Sequence, residues 1–139
     1  ASAQSTFGVS TPVLLPPYEA IIDAYRREMA ATGGSEGLRD EGGLRSALAR
    51  AENLIAYAEA TPAIEDIAAT VAFGNARNHP FVDGNKRMAL ISAFVILRMN
   101  GLFLDAPEGE AVTAILRIAD GTNDEKDFAV WLKRWTTPA

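Results

Sequence analysis

The chain contains no cysteine and a single histidine in 139 residues. The first absence excludes disulfides and thiolate metal sites, while leaving the compartment open. The second places any acid–base role for an imidazole on His79 alone. Long apolar runs are also missing. The most apolar stretch, from Met88 to Met99, is apolar at ten of its twelve positions. It falls short of the roughly 18 residues that suggest a membrane span. Positive charge is in deficit, with 13 Lys and Arg against 18 Asp and Glu, a net charge of −5 and a pI near 4.8. Such a balance argues against broad binding to nucleic acid or to an anionic membrane. There is no internal repeat, low-complexity run or domain linker. One domain is therefore expected, long enough to bury a core without staples. No secretory leader or targeting motif is visible, so the default compartment is the cytoplasm. The start at Ala1 is read as processed or non-native.

What is present is concentrated in one stretch, His79-Pro-Phe-Val-Asp83-Gly-Asn85-Lys-Arg87, which runs straight into the apolar segment 88–99. A helix apolar on nearly every face belongs in the middle of a core, wrapped by other helices. Its first turn offers free N–H groups and a positive dipole end, which suit phosphate oxygens. Gly84 permits a close backbone approach to an anion. Lys86 and Arg87 add charge, and a guanidinium can grip phosphate with two bonds. Asp83 can hold a magnesium ion that bridges phosphates. His79 precedes Pro80, which biases it towards an extended conformation outside either helix. A neutral imidazole there can take a proton from an attacking hydroxyl. Base, metal ligand and anion cradle together describe phosphoryl or nucleotidyl transfer. Each residue also has a plain structural reading. Asp83 can be the N-cap of the long helix, and Lys86 with Arg87 an ordinary solvated pair. Cations in a first helical turn oppose the dipole, however, so structure alone gives them little reason to be there. Phe81 reads as a core anchor for the loop. Arg77, Lys86 and Arg87 form a local cationic spot on an acidic chain, which favours a small anionic ligand.

Around this stretch the pattern predicts an all-α domain, a compact bundle of about six helices over residues 16–139, preceded by a flexible Ser/Thr-rich tail over 1–15 in which Val13–Leu15 can pack on the body. Pro16-Pro17 sets up a first helix with Ile21, Ile22, Tyr25 and Met29 on one side, ended by Gly33-Gly34. A glycine-rich loop reaches about Gly43, and a second helix to about Ala58 carries Leu44, Leu48, Ala51 and Ile55 on one face. A third runs from about Ile64 to Asn78, and the apolar helix comes next, stopping near Asn100-Gly101. Leu102–Leu104 is short and extended, with no convincing strand anywhere. A helix from about Glu108 to Asp120 and a last one after Asp124, with Phe128, Trp131, Leu132 and Trp135 on one face, complete the set.

The nine-residue stretch resembles the signature of the Fic/Doc superfamily, and specifically its Doc branch. Most Fic enzymes resemble H-P-F-x-[DE]-G-N-G-R-x-x-R and transfer AMP from ATP to a target hydroxyl. Here Lys86 replaces the second glycine and Leu90 the final arginine, and both departures point towards Doc, the toxin of toxin–antitoxin pairs. Upstream, the segment from Gly37 to Arg50 looks like the one Doc-type proteins carry before their second helix. The resemblance implies that His79 is the general base and that Asp83 holds magnesium or orients the attacking hydroxyl. It further implies that Gly84 and Asn85 present backbone and amide groups to ATP phosphates, and that Lys86 and Arg87 neutralise the transferred group. Arg77 is one more candidate phosphate contact. The implied outcome is phosphorylation of a Ser or Thr hydroxyl, with the nucleotide reversed relative to the AMP-transferring enzymes. The implied target is elongation factor Tu, and the implied partner a Phd-like antitoxin whose disordered tail folds into a groove. Ile21, Tyr25 and Leu54 are candidates for that groove. A Fic-type AMP-transferase and an inactive binding module of the same fold are the alternatives. Thr32-Gly-Gly-Ser-Glu36-Gly37 formally fits the pattern [ST]-x-x-x-E-[GN] of the family's inhibitory glutamate. It sits in a glycine-rich loop, and the arginine it would clamp is Leu90, so the match reads as coincidence.

Overall fold

The computed structural model describes residues 12–139. Six helices and two three-residue strands succeed one another as α1 (Tyr18–Thr32), α2 (Glu41–Tyr57), α3 (Ile64–Asn78), α4 (Asn85–Met99), β1 (Leu102–Leu104), α5 (Glu108–Ala119), α6 (Glu125–Trp135) and β2 (Thr136–Pro138). The all-α bundle read from the periodicity is the fold observed. Helix α1 begins after Pro17 and ends where Gly33 takes a left-handed φ of 73°, a conformation open to glycine at little cost. Its buried side is Ile21, Ile22, Tyr25 and Met29. Ile21 and Tyr25 are each only 2% exposed, so they belong to the core and not to a partner groove. Helix α2 starts at Glu41, before the glycine pair expected to lie in the loop, because the Asp40 carboxylate accepts from the Gly43 N–H at 3.0 Å and caps the first turn.

The helix at the centre of the bundle is α3, not the more apolar α4. Residues 67–72 and 74–76 of α3 are all buried, and most of them are small. Gly74 lets α2 approach closely: a Cβ there would stand 2.7 Å from the Ala47 methyl. Helix α4 packs on α3 through Met88, Ala89, Ser92, Ala93, Ile96 and Leu97, but Phe94 on its other side is 37% exposed. Between that outer stripe of α4 and the helix beyond it lies a cleft, which is why an all-round apolar sequence did not produce an all-round buried helix. A buried bond from the Asn75 amide to the Ser92 hydroxyl at 3.0 Å ties the two helices together, and Ser92 in turn donates to the Met88 carbonyl at 2.7 Å.

The extended segment after α4 is a strand after all. β1 pairs antiparallel with β2, Leu102 opposite Pro138 and Leu104 opposite Thr136, so the end of α4 is strapped to the end of α6. Helix α6 opens on a reciprocal cap in which Asp124 and Asp127 each accept the other's backbone N–H, at 2.8 and 2.9 Å. Of the expected tail, residues 1–11 lie outside the described residues. Val13 and Leu15 pack against the core, and the Asn100 amide holds both polar groups of the Leu14 backbone at 2.9 Å. No helix among the described residues is long and apolar enough to cross a membrane.

Candidate active site

Helix α3 delivers His79 to the surface as its C-terminal cap, at φ 49° and ψ 56°. Among the described residues His79 is the one non-glycine with positive φ. The extended conformation expected from Pro80 is therefore not the one adopted: His79 is left-handed, a region sparsely populated by residues with a Cβ. Several peptide groups of the loop from Pro80 to Gly84 are held from outside it. The Pro80 carbonyl accepts from the backbone N–H groups of Arg39 and Asp40 at 2.7 and 2.9 Å. The Phe81 peptide is gripped on both sides by Asn85, whose Oδ1 accepts from the Phe81 N–H and whose Nδ2 donates to the Phe81 carbonyl, each at 2.9 Å. Val82 donates to the Gly37 carbonyl at 2.8 Å, extending an antiparallel bridge between Leu38 and Phe81. Beneath the loop, the fully buried Phe81 ring stacks on Tyr25 at 3.9 Å and 13°, which makes it the anchor expected. The Tyr25 hydroxyl accepts from the Gly37 N–H at 3.1 Å and lies within donating distance of the Ser35 and Gly37 carbonyls, so one side chain supports both the motif loop and the segment facing it.

Gly84, at φ 83°, turns this loop into α4 and is itself the N-cap. A Cβ there would meet the Met29 methyl at 2.6 Å on top of the left-handed strain. Asp83 is thus not the cap that its position suggested. One of its oxygens accepts from the Gly84 N–H at 2.8 Å and the other from the Ser35 N–H at 3.2 Å. No side chain among the described residues caps α4, and no acidic residue stands in its first turn. The positive end of the helix is left to Lys86, which enters no ion pair among the described residues, and to Arg87. Arg87 is oriented from α1: its Nη1 donates to the Thr32 hydroxyl at 2.9 Å, and its Nε lies 3.7 Å from the Glu28 carboxylate.

These groups meet at one end of a cleft of about 940 Å³. His79 and residues 83–87 line its polar end, while Leu90, Ile91 and Phe94 of α4 face Val112, Ile115 and Leu116 of α5 across its apolar length. A charged head beside an apolar slot suits an amphipathic ligand bearing an anion. Arg77 is not part of the cleft lining. Its guanidinium donates to the Ile118 carbonyl at 3.3 Å, where it satisfies the C-terminal end of α5. The Asn85 side chain is turned onto Phe81 through Oδ1 and one Nδ2 N–H, which among the described residues leaves its second Nδ2 N–H and its backbone N–H for a ligand. Glu36 pairs at 3.6 Å with Arg26, both exposed, and does not reach the motif. Sequence reasoning missed Tyr25, Glu28, Ser35 and Arg39, the residues that hold the motif from across the chain. It also missed the α5 wall, whose signal was Val112 and Leu116, one turn apart and both still about half exposed.

Magnesium has a modest foothold here. Among the described residues no three His, Cys, Asp or Glu side chains converge on a metal site. A single carboxylate is nevertheless what magnesium needs when phosphates and water supply the other ligands, and Asp83 stands beside the open helix end. The donor set fits a magnesium nucleotide and would not hold the ion alone.

A sequence profile of the Fic/DOC family matches residues 15–97, which include α1 to α3, the motif and most of α4. The chain is 37% identical over 91 residues to "Protein kinase doc" of Escherichia phage P1, a match spanning 65% of this chain and 71% of the phage protein. It is 42% identical over 76 residues to "Toxin Doc" of Mycolicibacterium smegmatis, spanning 55% of this chain and 58% of the mycobacterial protein. The cleft's α5 wall lies beyond the part that the profile covers, whereas every motif residue lies inside it. The chain belongs to the Fic/DOC family, and within it is similar to Doc toxins.

Proposed function

We propose that this protein is a Doc-type toxin that transfers the γ-phosphate of ATP to a Ser or Thr hydroxyl of a target protein. The observation that carries the reading is the convergence of His79, Asp83, Lys86 and Arg87 on the uncapped N-terminus of α4 at the head of one cleft. In this reading the His79 imidazole accepts the hydroxyl proton as the new oxygen–phosphorus bond forms and the bond to ADP breaks. The N–H groups of the first turn of α4, with Lys86 and Arg87, face the charge that develops on the transferred group. Asp83, together with the phosphates, would hold a magnesium ion, which would supply further charge neutralisation. The apolar slot between α4 and α5 takes the remainder of the nucleotide.

Two features favour phosphate over AMP as the group moved. Lys86 occupies the space that glycine leaves open in the AMP-transferring pattern. Leu90 lines the cleft one turn further on, where that pattern carries a second arginine. The name of the phage relative, a protein kinase, runs the same way. Elongation factor Tu is the target we propose, and the partner we propose is a Phd-like antitoxin with a disordered tail. The test is intact mass spectrometry of elongation factor Tu after incubation with this protein and magnesium-ATP, repeated with γ- and α-labelled nucleotide. A gain of one phosphate carrying the γ label is expected. A gain of AMP carrying the α label would transfer the protein to the adenylylating branch, and no change in any target would leave an inactive binding module.

A further inference from the structure

The histidine sits in a backbone conformation that its own sequence opposes twice, since it bears a Cβ at φ 49° and precedes a proline. Such a conformation persists only where the surroundings over-determine it. Its carbonyl is held by one group, the guanidinium of Arg39, through Nε at 3.2 Å and Nη2 at 2.8 Å. The same residue donates its backbone N–H to the next carbonyl, that of Pro80, at 2.7 Å. Arg39 therefore grips two successive peptides from a segment forty residues away. It sits beside Asp40 and Glu41, yet enters no ion pair among the described residues. Its side-chain donors go to a neutral carbonyl, where the planar fork serves and a point charge serves less well. Arg39 does not line the cleft.

We infer that Arg39 is a positioning residue for His79: its guanidinium locks the 79–80 peptide, and so fixes where the imidazole stands relative to the head of the cleft. The direction of the His79 carbonyl sets ψ of that residue. Releasing it lets the backbone relax towards the extended region that a residue before proline prefers, and the ring swings with it. The catalytic part of this inference rests on His79 being the base. The conformational part does not.

The test uses Arg39→Met, which keeps the stem and removes the donors, with Arg39→Lys as the second variant. His79 is the chain's single histidine, so its ring carbon–proton signals are unambiguous in a two-dimensional spectrum of the intact protein. In Arg39→Met those signals are expected to shift and broaden. In the same variant kcat is expected to fall roughly 10- to 100-fold, the scale of a misplacement near 1 Å, with KM for ATP within about twofold and the melting curve retained. Arg39→Lys is expected to fall between the two, and it is the variant measured should Arg39→Met not fold. Unmoved ring signals overturn the inference, and so does an unchanged kcat beside moved signals. Should the wild-type protein transfer no group at all, the function proposed above fails and the ring signals alone decide: moved, Arg39 positions His79; unmoved, it does not.

Discussion

Replacing Asn85 by Asp changes one atom of the clamp and leaves its shape intact. Oδ1 can still accept from the Phe81 N–H, but the group opposite the Phe81 carbonyl, now a donor at 2.9 Å, becomes a second oxygen. One hydrogen bond is lost, at about 1 kcal/mol, and a part-buried carbonyl is left facing a lone pair, at about 1–3 kcal/mol. The new negative charge lies in the first turn of α4, whose dipole returns about 0.3–1 kcal/mol. The net loss is about 2 kcal/mol, which for a domain of this size lowers Tm by about 7 °C. The sign of its pH dependence comes from the same contact. Only the protonated carboxyl can donate to Phe81, so folding raises the pKa of the introduced group. The deficit is then full at neutral pH and shrinks as pH falls through that raised value. Thermal melts of the two proteins between neutral and mildly acidic pH measure both effects. A variant melting within about 2 °C of the wild type at neutral pH would show that the Asn85 amide does not hold the loop. A deficit that grew on acidification would show that the contact is assigned with the wrong polarity.

His79→Gly is expected to abolish transfer while raising stability by about 0.5–1 kcal/mol, because glycine takes the left-handed C-cap at no steric cost; paired activity and denaturation measurements check it, and a less stable variant refutes the strain. Phe94→Ala, which a fully buried ring would make a loss of about 3–5 kcal/mol, is expected to cost only about 1–2 kcal/mol, since the ring is 37% exposed and rests edge-on against Phe103 at 5.5 Å. Its larger effect is expected on affinity for the nucleotide proposed to occupy the cleft, read by titration. Asp124→Ala is expected to lower Tm at neutral pH. The Asp127 backbone N–H holds the Asp124 carboxyl below its ordinary pKa, so its stabilisation is present above the unfolded carboxylate range and is lost as pH falls through the lowered folded value. The two melting curves should therefore converge in strong acid.

Most element boundaries were legible because the chain marks them with residues whose backbone preferences are strong. Gly33 and Gly121 end α1 and the turn after α5 at φ 73° and 83°, and Pro17 opens α1. The centre of the bundle was not legible, for a reason that hydropathy hides. Helix α3 is buried by closeness: Ala68, Ala69, Ala72, Gly74 and Ala76 carry little apolar surface, but they let α2 and α4 approach. Helix α4 carries more apolar surface and spends part of it on the cleft, and a sequence cannot say whether an apolar stripe meets another helix or a ligand. The β1–β2 ribbon was invisible because three residues are too few to show alternation, and its pairing sets Phe103 opposite Thr137, far along the chain.

The two arginines near His79 show where the legibility of the site stops. Arg77 is two residues from the histidine, Arg39 is forty, and proximity in sequence favours the first. Arg77 still lies within α3, whereas His79 has left the helix in a left-handed turn, and the arginine reaches the Ile118 carbonyl of α5 instead. Arg39 arrives on a segment that runs antiparallel to the motif loop, which is the geometry that sets a guanidinium against a carbonyl of the opposite strand. The same logic places Thr32 on Arg87 across 55 residues and Ser35 on Asp83 across 48. The residues at the head of the cleft were readable because the motif is contiguous, whereas the loop's rigidity comes from partners that only the pairing of two loops brings within reach. That division also separates the perturbations. Changes at His79, Lys86 or Arg87 should alter transfer with little effect on folding, whereas changes at Arg39, Asn85 or Tyr25 should move the loop that carries them.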